Sequence, residues 1–342
     1  MKHHSPTRRD FIQPLAFGVL GLLGPALAGL SGLALGLPAT AQAQTFPSKP
    51  LRIVVPFAPG GPTDLMARTI GKVMTQNMGQ PVIIENKAGG GGLIALGEVA
   101  RAPADGYTLA FPSILSVTNP ALMANYPYDM ARDFDAITVV GSIPHALTVR
   151  PDFPAKTLAD LVALAKDKPG TLAYGSSGNG TSAHLAGAMF AQIAGIKVTH
   201  VPYRGASLAM QDLLSGQVQF MFLDMSTGLA QIKAGKLRAL AMAPARRVAV
   251  LPDVPSIAEQ GYPSYNIRAW YGLLAKAGTP PEIIQKLYSE VKRALDSPEV
   301  REIFLAQGMV PGGMPPSEFA TLIKEDLAQW KRTIEQLQIK LE

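Results

Sequence analysis

Cysteine is absent from this 342-residue sequence, and charged residues are scarce. Without cysteine the chain has no disulfide, no lipid-modified cysteine, and no thiolate to bind zinc or an iron–sulfur cluster. Charged side chains make up 16% of the residues and hydrophobic ones 47%, a composition that excludes a disordered chain. The formal net charge of +6 is dispersed and forms no basic run with interleaved aromatic residues, so we expect no nucleic-acid partner.

Enzyme motifs are incomplete as well. Neither GSSGN (175–179) nor GTSAH (180–184) completes the G-x-S-x-G pattern of serine hydrolases, and H-E-x-x-H does not occur. Two G-x-G-x-x-A patterns begin at Gly90 and Gly178, but neither is followed by the acid that dinucleotide binding needs about 20 residues later. The histidines outside the N-terminal segment lie far apart in sequence, so we expect no metal site and no cofactor. An exported enzyme acting on a small carboxylate is the alternative function.

The first 43 residues predict export from the cytoplasm. TRRDFI (7–12) has the form of a twin-arginine signal, and an apolar, glycine-rich stretch follows it at 15–37. Ala41-Gln42-Ala43 is a small-x-small cleavage site, so we expect cleavage after Ala43 and a mature periplasmic chain. The apolar stretch is also long enough to span a bilayer, which leaves an uncleaved anchor as the alternative.

Residues 51–64, LRIVVPFAPGGPTD, predict a buried strand that runs into a glycine-rich turn at the start of a helix. Gly60 and Gly61 let the backbone bend and approach a ligand, and Thr63 or Asp64 can cap the helix. Unpaired amides at the positive end of the helix dipole then form a site for a carboxylate or phosphate. A strand–helix turn without a ligand would share this pattern.

A second segment of the same kind lies at 171–183, TLAYGSSGNGTSA. A short strand is followed by three glycines among Ser, Thr and Asn side chains, which donate hydrogen bonds without carrying charge. Two such loops in different halves of the chain predict a ligand with an acidic group at each end, held between two lobes. A Ser/Gly-rich surface loop without a function is the alternative.

Strand and helix patterns alternate along the chain and predict an α/β fold with a parallel sheet in each lobe. We expect lobe 1 to comprise residues 44–146 and 266–342, and lobe 2 residues 147–265, so that the chain crosses between lobes twice. Ligands of such folds bind at the carboxyl ends of the strands. The strand at 107–111 is predicted to lead into a loop that carries Ser113 to Asn119.

Several sequence blocks occur in order between Pro47 and about Leu322: VPFAPGGPTD, ENKAGGGG, APADGYTL, YGSSGNGTSAHLAG, HVPYRG, IKAGKLRAL and LPDVPSIAEQG. Together they resemble the periplasmic solute-binding proteins of the tripartite tricarboxylate transporter family, also called Bug or TctC-like proteins. The resemblance implies a two-lobed, type II periplasmic-binding-protein fold with parallel-rich sheets, flanking helices and a ligand cleft between the lobes. It also implies a monomeric, non-enzymatic receptor. Such a receptor delivers a dicarboxylate, tricarboxylate, aromatic acid or acidic amino acid to membrane permease subunits, which can be encoded elsewhere.

The resemblance further implies which residues contact the ligand. The backbone amides of the first loop, with ordered water, hold one carboxylate, and the loop of the second lobe holds the other. The implied contacts are Phe57, Pro59, Gly60, Gly61, Thr63 and Asp64 in the first loop, Ser113 and Ser116 after the strand ending at Phe111, Ser176, Asn179, Thr181 and Ser182 in the second loop, and Tyr203 and Asp224.

Some of these candidates have a second interpretation. Asp64 either caps its helix or contacts the ligand, and Asp224 either holds a loop or binds an amine. Arg204 has the geometry of a carboxylate clamp, but an ion pair is favoured because resembling proteins often carry Lys there, which cannot reproduce that geometry. We expect His184 to cap or pack rather than catalyse, since no partner acid is at hand.

Overall fold

A computed structural model describes residues 46–337 and residue 339. The predicted signal sequence, 1–43, and its cleavage site lie outside the described residues. Within them, strands and helices alternate as predicted, and no helix there is both long and apolar enough to cross a membrane. The elements are β1 (Leu51–Val55), α1 (Pro62–Met78), β2 (Val82–Asn86), α2 (Leu93–Ala100), β3 (Thr108–Ala110), α3 (Leu115–Leu122), β4 (Phe134–Ser142), β5 (His145–Val149), α4 (Leu158–Asp167), β6 (Ala173–Ser176), α5 (Ser182–Ala194), β7 (Thr199–Pro202), α6 (Ala206–Ser215), β8 (Phe220–Asp224), α7 (Met225–Lys233), β9 (Arg238–Met242), β10 (Trp270–Lys276), α8 (Pro281–Asp296), α9 (Pro298–Ala306), β11 (Val310–Pro311) and α10 (Pro316–Leu337).

The strands form two sheets, one in the order β11-β4-β10-β3-β1-β2 and the other in the order β7-β6-β8-β5-β9. Strands that belong to strand–helix–strand units pair in parallel: β1 with β2 and β3, and β6 with β7 and β8. The strands that connect the two sheets pair antiparallel: β10 with β3 and β4, and β5 with β8 and β9. Both sheets are therefore mixed, and the prediction of a parallel sheet in each lobe holds only in part. The alternation of strands and helices in the sequence predicts the parallel pairs but not the antiparallel ones.

The chain passes from the first sheet to the second between β4 and β5 and returns between β9 and β10. At the two passages the amide of Ile143 donates to the carbonyl of Ala269 at 3.1 Å, and Trp270 lies opposite Ser142. The passages therefore run side by side, as a two-lobed chain requires. The lobe boundaries after residues 146 and 265 stay a prediction.

Strand β1 is covered on both faces, which confirms the prediction from its apolar run. Val54 packs in one hydrophobic cluster with residues of α2, whereas Ile53 and Val55 pack in another with residues of α1. The first of these clusters continues through Leu147 and Phe222 into the second sheet. A strand whose apolar residues are all buried thus carries the glycine-rich loop that follows it.

The structure corrects the prediction of a loop at Ser113 to Asn119. The chain is helical from Leu115 to Leu122, with Pro120 inside the helix. Ser, Thr, Asn and Pro disfavour a helix locally, but Val117 and Thr118 are buried and α3 packs against α10. Tertiary packing therefore overrides local propensity here, and α3 becomes another helix that starts at the carboxyl end of a strand.

A buried carboxylate fastens the returning passage to the long C-terminal helix. Asp326 of α10 is 2% exposed and accepts hydrogen bonds from Arg268 Nη2 at 2.6 Å and from Trp270 Nε1 at 2.7 Å. Burial raises the pKa of Asp326, and the charge and hydrogen bonds of these two partners oppose that rise. The segment entering β10 is thereby fixed to α10.

We expect Asp326→Asn to destabilise the protein by about 1.5–3 kcal/mol, because an amide cannot accept both hydrogen bonds and leaves Arg268 without its counter-charge. Urea unfolding at pH 7 measures the change. The neighbouring exposed Glu325→Gln is the control, and a loss in Asp326→Asn no larger than in this control would contradict the role given to Asp326.

Candidate functional site

The first candidate loop joins β1 to α1, and its two glycines differ in conformation. Gly60 has φ +86°, which favours glycine, whereas Gly61 has φ −82°, which any residue adopts. A Cβ at Gly61 would meet only the carbonyl oxygen of Ala58, at 3.9 Å. The backbone therefore requires glycine at position 60 only. At position 61 the missing side chain leaves space beside the helix start.

The amides of this helix start are open. Within the described residues, the N–H groups of Gly61, Thr63 and Asp64 have no hydrogen-bond acceptor, and Pro62 has no N–H. They lie at the positive end of the α1 dipole, where an anion is stabilised. The loop can therefore bind a carboxylate through backbone groups alone.

Asp64 is part of the loop's internal support. Its carboxylate, 4% exposed, accepts from the Gly60 amide at 3.0 Å, from Arg68 Nε at 2.9 Å and from Asn86 Nδ2 at 2.9 Å. Burial alone would raise the pKa of Asp64, but the hydrogen bonds from Arg68, Gly60 and Asn86 outweigh it and lower the pKa. Since Asn86 also donates to the Phe57 carbonyl at 3.0 Å, Asp64 holds both sides of the loop. Its backbone partner, Gly60, precedes the N-cap Gly61, so Asp64 supports the loop and caps no amide of α1 among the described residues.

The second candidate loop joins β6 to α5 and is also held by its own hydroxyl groups. Thr181 is the N-cap of α5: its Oγ1 donates to the Gly178 carbonyl at 2.7 Å and accepts from the His184 amide at 3.4 Å. The Gly178 amide donates to Ser176 Oγ at 3.1 Å. The amides of Ser182 and Ala183 have no acceptor among the described residues, so this helix start is open as well.

Two histidines that sequence analysis did not assign to the ligand site support the second loop. The Gly180 amide donates to His184 Nδ1 at 3.0 Å. The ring of His184 stacks on that of His200, with centroids 3.9 Å apart and planes 4° apart. His200 Nε2 in turn lies 2.7 Å from Ser176 Oγ. The alternative that His184 packs or caps is thus the one the structure favours, although nothing in the sequence pairs it with His200.

The third histidine, His145 at the start of β5, is also buried beside this loop. Its Nε2 lies 3.1 Å from Ser182 Oγ. Burial lowers the pKa of His145, although nearby Asp224 and the Ile143 carbonyl act to raise it. In residues 46–337, no group of three His, Asp or Glu side chains is placed to hold a metal ion.

Side chains from both sheets meet at Tyr271 of β10, a residue that sequence analysis missed. The backbone of Tyr271 forms an antiparallel β-bridge with that of buried Ser113, which precedes α3. Ser116 is buried in the first turn of that helix. Burial and the negative charge of Asp224 raise the pKa of Tyr271, and a hydrogen bond with the Thr63 side chain acts against them. Tyr271 therefore lies beside Ser113 and close to Thr63 and Asp224, which are candidates from different parts of the chain. No sequence motif marks Tyr271.

The remaining candidates either bond to neighbours within the second sheet's own elements or are exposed. Asp224 is the N-cap of α7 and accepts from the Thr227 amide at 2.9 Å, which favours the loop-holding interpretation. The Tyr203 hydroxyl donates to Asp212 Oδ2 at 2.7 Å, and burial with this partner raises the pKa of Tyr203 to about 12. Pro59 and Asn179 are exposed on their loops. Arg204 is exposed too, and the ion pair expected for it is not formed with any described residue.

Related proteins provide a comparison for these features: the helix starts after β1 and β6, their uncharged donors and the two mixed sheets. The sequence profile of the tripartite tricarboxylate transporter family receptors matches residues 66–339. The chain belongs to this family.

Individual relatives cover almost the whole chain. Protein BugT of Bordetella pertussis is 35% identical over 318 residues, which are 92% of this chain and 98% of BugT. Rpa4515 of R. palustris, solved with adipate, is 33% identical with a TM-score of 0.75 and matches 86% of this chain and 100% of its own. MatC (Rpa3494) from Rhodopseudomonas palustris, solved with malate, is 33% identical with a TM-score of 0.71, over 84% of this chain and 100% of its own. The predicted family and the α/β periplasmic-binding-protein fold are confirmed.

We expect Asp64→Ala to lower the stability of the ligand-free receptor by about 1.5–3 kcal/mol at pH 7, because a charged acceptor of several hydrogen bonds is lost. The folded-state pKa of Asp64 is lowered, so its contribution is present above the unfolded-state pKa and is lost as the pH falls through the folded value. The difference in unfolding free energy between wild type and variant should therefore become smaller in acid. Denaturant unfolding at several pH values measures this difference.

Glu299→Ala is the matched control for Asp64→Ala. Glu299 also lies in the first turn of a helix, but it is exposed and pairs only with Lys72 at 2.8 Å. Its removal should cost less than about 1 kcal/mol. Equal losses in the two variants, or a loss in Asp64→Ala that does not change with pH, would contradict the supporting role of Asp64.

Proposed function

We propose that this family member is a periplasmic substrate-binding receptor that captures a small carboxylate between two lobes and delivers it to a tripartite tricarboxylate-type permease. The observation that carries the proposal is the pair of helix starts whose backbone amides have no acceptor among the described residues, at Gly61, Thr63 and Asp64 and at Ser182 and Ala183. The adipate and malate in Rpa4515 and MatC support a dicarboxylate as the ligand.

In this proposal the first loop binds one carboxylate through its free amides, which replace the hydration of the anion with hydrogen-bond donors. The second loop binds the other carboxylate through the amides of Ser182 and Ala183. The other predicted contacts line the space between them and orient the body of the ligand: Phe57, Pro59, Gly60, Ser113, Ser116, Ser176, Asn179, Thr181, Tyr203 and Asp224. Tyr271 joins this set because its backbone pairs with that of Ser113 and it lies close to Thr63.

Binding is coupled to closure in this proposal. Each carboxylate is held by a loop of a different sheet, so a bound ligand favours the arrangement in which the lobes approach each other. The two side-by-side passages at 143–145 and 266–269 provide the hinge. The closed form then docks the permease. Export by the twin-arginine route, with cleavage after Ala43, places the receptor in the periplasm.

A thermal-shift screen of the purified receptor tests the proposal. The panel contains adipate, malate, citrate, benzoate, glutamate and aspartate, and the protein is first unfolded and refolded to remove any retained ligand. At least one acid should raise the melting temperature in a saturable way, since a ligand at 100 times its Kd stabilises the folded state by about 2.7 kcal/mol. A refolded protein that responds to no acid in the panel would count against a carboxylate receptor.

A substitution at Gly61 tests the backbone site without disturbing the fold. Its φ of −82° suits any residue and a Cβ there meets no close atom, so Gly61→Val should fold with an unchanged melting temperature. Its β-branched side chain covers the free amides. We expect affinity for the acid found in the screen to fall by roughly 100-fold, since each hydrogen bond to a charged group contributes about 1.5–3 kcal/mol.

Calorimetric titration of Gly61→Ala and Gly61→Val gives the graded comparison for this prediction. The smaller side chain should weaken binding less than valine does. Affinity retained by a folded Gly61→Val receptor would rule out the first loop as the carboxylate site.

A further inference from the structure

The second loop depends on a contact that only one protonation state of His184 can make. The Gly180 amide donates to His184 Nδ1 at 3.0 Å, so Nδ1 must carry a lone pair and the neutral ring holds its proton on Nε2. The bond takes the Gly180 amide out of the set of free donors, whereas the amides of Ser182 and Ala183 have no acceptor among the described residues. His184 is therefore a support for the loop.

His200 ties the same ring to the neighbouring strands. It stacks on His184 with centroids 3.9 Å apart and lies 2.7 Å from Ser176 Oγ, the hydroxyl that also accepts from the Gly178 amide at 3.1 Å. The pair thus connects α5, β7 and the end of β6 around the loop. His184 supports the side of the loop that leads into α5, and His200 supports the side that follows β6.

The surroundings of the pair favour neutral rings. Tyr174 of β6 stacks on His200 at 4.9 Å, and its hydroxyl donates to the carbonyl of His184 at 3.3 Å. His145 of β5 reaches the loop only through Ser182, and the Tyr203 hydroxyl is taken up by Asp212. Neither His184 nor His200 forms an ion pair with a carboxylate of the described residues, so a proton on either ring is not balanced by a paired charge.

We propose that the stacked His184–His200 pair positions the second carboxylate-binding loop and makes ligand binding sensitive to acid. Protonating Nδ1 of His184 would turn the Gly180 contact into two opposed donors, and protonating His200 as well would place two positive charges on rings whose centroids are 3.9 Å apart. Either event loosens the loop and lowers affinity. The binding part of this inference depends on the proposed function, whereas the support of the loop does not.

The direction of the acid effect follows from burial. Burial lowers the pKa of His184, and burial together with the neighbouring His184 lowers that of His200 to about 4. The unfolded chain therefore takes up protons at higher pH than the folded one, from about pH 6.5 downward. Stability contributed by the neutral pair is complete above this pH and falls as the pH drops toward the folded pKa values. Loosening of the loop should follow the same course.

Variants separate the geometry of the pair from its charge. His184→Asn places Oδ1 where Nδ1 accepts from Gly180, without a titrating group, whereas His184→Phe keeps a stacking ring but loses the acceptor. His200→Phe keeps the stack and cannot be protonated. At pH 7 we expect His184→Phe to bind adipate or malate about tenfold more weakly than wild type, and His184→Asn to recover most of that loss.

Two measurements test the proposal. The first is hydrogen exchange of the ligand-free protein over residues 176–183 at pH 7 and pH 4.5, corrected for intrinsic rates. In wild type, exchange at pH 4.5 should be faster than at pH 7. This acceleration should be smaller in His184→Asn and in His200→Phe. In His184→Phe, exchange should be fast at both pH values. The second is the ratio of Kd values of wild type and His184→Asn for adipate or malate, in which titration of the acid itself cancels.

This ratio should rise at least about fivefold between pH 7 and pH 4.5. Unchanged exchange together with a constant ratio would overturn the proposal. If no acid binds at any pH, the proposed function fails, and the exchange measurement by itself still decides whether the pair supports the loop.

Discussion

Helix starts carry amides that their own helix cannot satisfy, and the structure around this site is arranged to keep some of them free. In α1 the carboxylate of Asp64 bonds to the Gly60 amide and leaves the next ones open. In α5 the ring of His184 does the same for Gly180. Each loop therefore uses one internal acceptor to fix its shape, and in the proposed function the remaining N–H groups bind the anion. The two halves of the chain reach this arrangement with different residue types.

Neutral donors suit a protein that must both capture and release its ligand. Backbone amides stabilise a carboxylate without a fixed counter-charge, so the bound state need not contain a fully buried ion pair, whose rupture is costly. Arg68, a cation close to the first loop, is already bound to Asp64 at 2.9 Å. Under the proposed function, specificity would come from side chains between the loops, such as those of Ser113 and Tyr271, whose backbones pair.

The two sheets are joined by more than a flexible linker. The Ile143–Ala269 hydrogen bond holds the passages together, and a continuous apolar cluster extends from β1 to β8. Asp326 fixes the returning passage to α10 through Arg268 and Trp270. If these passages act as the hinge of the proposed function, the lateral contacts limit where the backbone can bend. Motion between the sheets would then change the separation of the two helix starts while leaving each loop intact.

The sequence by itself determined the family, the alternation of strands and helices, and the two glycine-rich loops. These are local patterns: an apolar run, a glycine pair and a following helix are encoded within about 15 residues. Only the tertiary structure decided that Ser113 to Asn119 belong largely to a helix, that the sheets are mixed, and that Asp64 serves its own loop. It also brought Tyr271 to Thr63 and stacked His184 on His200. Those contacts join residues that are distant in sequence, so they exist only after the strands have paired, and no local pattern predicts them.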